Sequence, residues 1–320
     1  MKYYQHSMNF DHPLTFTPLF MERVWGGRCL ETKLGKALPA GVPIGESWEL
    51  VDREEAQSIV DHGELAGTSL HTLWKNHREA VFGKGFPESE RFPLLAKILD
   101  AQDTLSVQVH PPAWLAARLK GEPKTEMWYL LDATPDASVF AGFKSGTTRE
   151  SFERVLAEGR AAELLHRISV REGDAIFIPS GRCHAIGAGC LIVELQQNSD
   201  TTYRVFDWNR VGLDGKPRAL HIAESLQSMD FEDIEPGLAA PVGELITGCE
   251  FFRNDRWELK QPRRDTGDSF AIFTVLSGVV SCGGRPFRAG QFFLLPAAAK
   301  HHELVPIDGT AQVLRTSIPN

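Results

Sequence analysis

A chain of 320 residues can bury one large or two ordinary hydrophobic cores, and 42% apolar with 24% charged residues is a soluble globular composition. The net charge of −8, from 34 Lys and Arg against 42 Asp and Glu, argues against nucleic acid or an anionic membrane as partner. Five scattered cysteines without a CxxC pair argue against a disulfide framework or a thiolate zinc knot. With no basic-then-apolar leader in MKYYQHSMNFDHPLTF and no membrane-length apolar run, the chain reads as cytoplasmic.

Residues 13–60 carry short strand-like runs broken by Gly and Pro. Trp25-Gly26-Gly27 reads as a tight turn at a packed corner, and the alternation in Ile44–Val51 puts Glu46 and Trp48 on one face. Helical spacing is predicted over about 68–82, with Ser69 as cap. FPLLAKILD, which holds Lys97, reads as a buried strand or short helix. Thr104–His110 alternates strictly, placing Ser106, Gln108 and His110 on one face and Leu105, Val107 and Val109 on the other; Pro111-Pro112 ends it. A short helix over 113–120 leads to Lys124-Thr125-Glu126, which opens another strand. Residues 147–166 read as a small helical hairpin split at Gly159, with Thr147 and Glu150 at capping-box spacing. A last helix is predicted over about 220–229. The acidic, then Pro/Gly/Ala-rich run 231–242 marks a boundary between domains 1–235 and 236–320.

Two stretches share a spacing. Gly173-DAIFI-Pro179-SGRC-His184 and Gly290-QFFLL-Pro296-AAAK-His301 each run Gly, five mostly apolar residues, Pro, then His five positions on. The full form G-x5-P-x-G-x2-H, with Gly181 in place, resembles the second motif of the cupin superfamily, a strand–turn–strand that delivers a metal-binding histidine inside a jelly roll. The fold expected is mainly β: two cupin-type jelly-roll barrels with a small helical insertion. In the second copy Ala298 replaces the inner Gly and no partner ligands precede it, so His301 reads as a relic or packing residue.

Gln108, His110, Glu126 and His184 offer two imidazoles, a carboxylate and an amide oxygen. Nitrogen and oxygen donors without thiolate suit Zn²⁺, and equally Fe²⁺ or Mn²⁺. Cys183 beside His184 would point to the opposite face of a strand, which argues against a nucleophile–base pair.

With QVHP (108–111), KTEMWY (124–129), IPSGRCHAIG (178–187) and ELQQNSDTTYRVFDWNR (194–210) together, nearly the whole chain resembles the short bacterial branch of the type I mannose-6-phosphate isomerases. The resemblance implies interconversion of mannose 6-phosphate and fructose 6-phosphate with one bound Zn²⁺ per chain, held by Gln108, His110, Glu126 and His184. It implies Arg204 as the catalytic arginine, Lys124 or Asp200 as the proton shuttle, and Ser106 and Lys97 as phosphate contacts, with Glu194 on the polar wall facing the sugar. An iron-dependent cupin oxygenase and a non-enzymatic sugar-binding cupin are the rival readings. Lys97, Lys124 and Arg204 favour a phosphorylated substrate over the first; Asp200 and Arg204 beside an intact ligand set speak against the second.

Overall fold

The computed structural model describes residues 9–86, 89–267 and 269–319; residues 1–8, where a leader would begin, lie outside them. The chain divides into two compact units. One comprises Phe20–Trp48 and Leu94–Ala240; the other comprises the described residues of Met1–Leu19, Glu49–Pro93 and Pro241–Asn320.

The first unit is built on two antiparallel sheets. The six-stranded sheet runs in the order Leu19–Gly27, Ile44–Leu50, Leu94–Ala101, Cys190–Gln197, Glu126–Ala133, Ala175–Ile178. The five-stranded sheet runs Tyr203–Phe206, Val107–Val109, His184–Ile186, Ser138–Phe143, Leu165–Ser169. Spatial neighbours are distant in sequence, as a jelly roll requires. Leu99, Trp128 and Ile192 from one sheet and Val139, Ala141 and Ile186 from the other form one buried cluster, so the sheets pack face to face. The sandwich is mainly β, of the cupin type.

Local departures from the sequence reading have physical causes. Trp25-Gly26-Gly27 lies within a strand, not a turn. A Cβ on Gly26 would meet the Gly45 backbone nitrogen at 2.3 Å, so glycine is there for close backbone approach. The predicted strand 104–110 shortens to Val107–Val109, and Leu105 breaks the alternation by joining the inner core with Trp128, while Val107 and Val109 pack on the outer face. FPLLAKILD resolves as the strand Leu94–Ala101. The helix expected over 68–82 is two, Leu70–Asn76 and Arg78–Phe82, broken at His77, and Ser69 does cap the first through its Oγ. The helix after Pro112 covers only Ala113–Ala116. The helical hairpin over 147–166 is a correction: a single helix, Arg149–Ala157, is followed after left-handed Gly159 by one 3₁₀ turn and then strand Leu165–Ser169. Its capping box is Thr148 with Ser151, rather than Thr147 with Glu150. The final helix spans Ile222–Ser228.

In the second unit one seven-stranded sheet is folded on itself by two long strands, Ala271–Cys282 and Glu303–Ser317. Their pairing slips on both sides of Ser277, so one stretch pairs 272–275 with 313–316 and the next pairs 279–282 with 304–307. Gly278 sits at that slip with φ of +74°, and a Cβ there would lie 2.7 Å from the Thr310 carbonyl oxygen. Gly278→Ala is therefore expected to cost roughly 1–3 kcal/mol in urea unfolding; an unchanged midpoint would contradict this reading of the bend. Gly173 and Gly290, the first residues of the repeated spacing, both adopt left-handed φ before matching strands Ala175–Ile178 and Phe292–Leu295. The copies then diverge. His184 begins a buried strand, whereas His301 is exposed and stacks on His12, and the interior of the second sheet is filled by Trp257, Phe273, Phe287 and Phe293.

Candidate active site

Between the two sheets of the first unit lies a cavity of about 430 Å³. Three strands bring the candidate ligands together beside it: Gln108 lines the cavity, and His110, Glu126 and His184 lie buried behind it. Gln108 and His184 are directly paired across adjacent strands, and Glu126 enters from the opposite sheet. His110 Nδ1 donates to the Thr201 carbonyl at 2.7 Å, and His184 Nδ1 donates to the Arg182 carbonyl at 2.9 Å. Those bonds fix the tautomer, leaving both Nε2 lone pairs directed inward. Both Nε2 atoms approach the same Glu126 oxygen, at 3.7 Å from His110 and 3.5 Å from His184. The Gln108 amide nitrogen lies 3.2 Å from His184 Nε2, and rotation of that carboxamide would aim its oxygen at the same point.

All three titratable groups are buried. Burial lowers the His110 and His184 pKa values, the latter to about 3, and keeps both imidazoles neutral. Burial alone would raise Glu126, but the Lys124 ammonium outweighs it and holds the carboxyl well below its usual range. Lys124 Nζ lies 2.5 Å from Glu126 and 3.4 Å from His110 Nε2. Burial opposes its charge, but Glu126 and Glu194 prevail, and its pKa is raised. Glu126 Oε2 is taken by the Lys124 ammonium, while Oε1, the oxygen facing the two imidazoles, has no hydrogen-bond partner. The free carboxylate oxygen and two neutral imidazole nitrogens make a convergent donor set of the kind that holds a cation, beside the Lys124 ion pair on the other oxygen. Among the described residues, His110, Glu126 and His184 are the one group of three such side chains whose ligand atoms converge, within 4.8 Å of one another. The set fits a Zn²⁺-sized cation.

The other predicted residues line the same cavity. Ser106 accepts from Arg204 Nε at 3.2 Å, and Arg204 Nη1 donates to the Ala219 carbonyl at 3.0 Å. Arg204 has no carboxylate within ion-pair distance among the described residues; burial, then the charge of Arg218, lowers its pKa. Glu194 accepts from the Trp128 indole at 3.0 Å, and its other oxygen has no hydrogen-bond partner. Burial raises its pKa. Lys97 lies between Glu194 at 3.7 Å and Glu46 at 3.8 Å, over the Trp48 ring. Asp200 lines the cavity and is exposed. Cys183, adjacent to His184, packs in the outer core, and all five cysteines are free.

Sequence reasoning gave no role to Arg23, Glu46 or Arg218, which also line the cavity. Glu46 shares a face with Trp48, whose indole donates to it at 2.6 Å, and Arg23 pairs with it at 3.0 Å. That shared face was the available signal. Burial raises the Glu46 pKa, yet Lys97 and Arg23 dominate and lower it to about 2. A depressed carboxylate stabilises the fold above its unfolded pKa near 4.5, and this contribution is lost as pH falls from there toward 2. Unfolding free energy should therefore fall between about pH 5 and pH 3 by roughly 1–3 kcal/mol more in the wild type than in Glu46→Gln; parallel slopes in urea titrations would refute the coupling.

A cupin-type sandwich that gathers two imidazoles and a carboxylate within 4.8 Å of one another, next to a cavity lined by lysines and arginines, defines a cupin with a candidate metal centre. Known proteins narrow this class. A model of the phosphomannose isomerase type I catalytic domain matches residues 14–136. Mannose-6-phosphate isomerase ManA of Bacillus subtilis is 37% identical over 302 residues, covering 89% of this chain and 93% of that one. A probable mannose-6-phosphate isomerase, GmuF, of the same organism is 36% identical over 320 residues, covering 95% and 98%. The crystal structure of the mannose 6-phosphate isomerase from Bacillus subtilis superposes with a TM-score of 0.85 at 30% identity, covering 96% of this chain and 100% of that one. The chain belongs to the type I phosphomannose isomerase family.

Proposed function

We propose that this protein interconverts mannose 6-phosphate and fructose 6-phosphate as a Zn²⁺-dependent aldose–ketose isomerase. The observation that carries the reading is Glu126, buried and ionised, whose Oε1 converges without a hydrogen-bond partner on two neutral imidazoles, next to Gln108 and Lys124, which line a basic-walled cavity. Gln108, His110, Glu126 and His184 would hold the metal, which supplies Lewis-acid polarisation of the sugar carbonyl.

Isomerisation moves a proton between C2 and C1 while negative charge develops on the enediol oxygens. Arg204 stays charged and, among the described residues, has no carboxylate within ion-pair distance, so its guanidinium is available to that developing charge. Lys124, kept protonated by Glu126 and Glu194, serves as a donor rather than a base. The proton carrier is then a carboxylate facing the cavity. Of Glu194 and Asp200, Glu194 is buried, has a raised pKa and keeps one oxygen free of hydrogen bonds, with Lys97 and Lys124 each at 3.7 Å, so it is the better base of the two. Lys97, clasped by Glu194 and Glu46, holds that base in place.

A coupled assay comparing mannose 6-phosphate with mannose tests the proposal. Turnover of the phosphorylated sugar with little or none of the free sugar is expected. Sugar binding without turnover would instead support the non-enzymatic reading, and oxygen uptake with bound iron would support the oxygenase. No helix among the described residues is long and apolar enough to cross a membrane.

A further inference from the structure

The acidic run 231–236, a boundary by composition, is fastened to the first unit. Phe143 N donates to the Asp233 carbonyl at 2.9 Å, and Glu235 N donates to the Phe143 carbonyl at 2.9 Å. The Phe231 ring stacks on Phe143 with centroids 4.9 Å apart. Gly142 admits this close approach, since a Cβ there would lie 2.5 Å from the Asp233 carbonyl oxygen. None of residues 231–236 lines the cavity, and the proposed reaction gives them no role. The run does supply one carboxylate. Arg182 donates to Asp233 in a two-pronged pair, Nε to Oδ2 at 2.7 Å and Nη2 to Oδ1 at 2.8 Å. The two side chains are only 14% and 16% exposed, so water and salt screen the pair little.

Arg182 belongs to the turn that delivers His184, and that turn is bonded to the segments carrying all three buried candidate ligands. Gly181 N donates to the His110 carbonyl at 2.9 Å. Lys124 N donates to Ser180 Oγ at 3.0 Å, and Ser180 N donates to Oγ1 of Thr125, the neighbour of Glu126, at 3.2 Å. The Arg182 carbonyl accepts from His184 Nδ1 at 2.9 Å. The third guanidinium nitrogen of Arg182, Nη1, donates to the Phe177 carbonyl at 2.6 Å, on the strand whose Ile178 pairs with Glu126. The main chain of Arg182 thus orients a ligand on the five-stranded sheet, while its side chain holds the strand beside the ligand on the six-stranded sheet. Asp230 N also donates to the Gly181 carbonyl at 2.9 Å, so the chain just before Asp233 grips the same turn.

We infer that Asp233 is a positioning residue for the metal centre: by fixing Arg182 it holds the turn 179–182 in the form that aims His184 at the point shared with His110 and Glu126. A carboxylate that engages a planar guanidinium at two nitrogens fixes its direction as well as its place. The Arg182 carbonyl is then set where it accepts the Nδ1 proton, which leaves Nε2 of His184 free to ligate. A turn released from Asp233 would let that carbonyl swing and would loosen the ring it orients.

The inference rests on the proposed metal centre and is tested separately from it. Zn²⁺ affinity is read by competition with a chromophoric chelator, at a temperature where circular dichroism shows each protein folded. Asp233→Ala should weaken Zn²⁺ binding about 10-fold or more, the usual effect of losing a group that orients a ligand. Asp233→Asn, which keeps one acceptor oxygen, should recover part of that loss. Arg182→Lys keeps the charge without the fork and should also weaken binding. Joined to Asp233→Ala it should cost little more than the worse single change, because the two residues act as one pair. Val155→Ala trims a buried side chain on the helix Arg149–Ala157 and is the stability control; it should lower the unfolding midpoint and leave Zn²⁺ affinity unchanged. Wild-type Zn²⁺ affinity in folded Asp233→Ala would overturn the assignment. So would an equal loss in Val155→Ala, or fully additive losses in the double variant. If Asp233→Ala does not fold, Asp233→Asn and Arg182→Lys carry the same comparison. A wild-type protein that binds no Zn²⁺ would instead remove the reading on which the inference stands.

Discussion

His184→Ala is expected to lose bound metal and isomerase activity together, with turnover falling at least ~10³-fold. Changes to groups that only orient a ligand already cost about 10–100-fold in such sites, and His184 is placed as a ligand itself. Its Nε2 lies 3.5 Å from Glu126, and its Nδ1 is committed to the Arg182 carbonyl. The ring also packs edge-on against Trp128 and beside His110, so alanine leaves a cavity. His184→Gln fills more of that space and separates folding from metal binding. Metal content by atomic emission and the thermal unfolding midpoint give the two readouts. A folded variant that keeps both its metal and its turnover would contradict the ligand assignment.

Arg204→Ala should behave differently. Its guanidinium touches Ser106 and the Ala219 carbonyl, none of the metal-capable groups, so bound metal should stay at the wild-type level. Turnover should fall about 10²–10³-fold, the usual cost of removing one preorganised donor to a developing oxyanion. If KM alone rose while kcat held, Arg204 would be a binding residue only, and the charge stabilisation would have to come from elsewhere.

Much of this candidate site could be read from the residues because its proposed ligands ride on or beside regular elements. The period of two across Gln108 and His110 survives folding, and the Gly–Pro–Gly–His spacing delivers His184 on a strand paired directly with Gln108. Glu126 follows from its place at the start of the adjacent run. What escaped was contributed by distant or irregular segments. Arg23 and Glu46 reach the cavity from the first two strands of the six-stranded sheet, and nothing local to either sequence names the other as partner. Arg218 comes from a hairpin whose course depends on two left-handed residues, Trp208 and Asn209, which no helical or strand period encodes. Helix lengths were overestimated for a related reason. Gly159 ends the helix begun at Arg149, and Leu165 onward satisfies its backbone against Ser138–Phe143 instead, a tertiary pairing that overrides local helical spacing.

The most direct test of the metal-dependent isomerase is a zinc titration of chelator-stripped protein in the mannose 6-phosphate assay. Activity should be absent at the start, rise in proportion to added Zn²⁺ and level off at one ion per chain. Full turnover in protein shown to contain no metal would contradict the account.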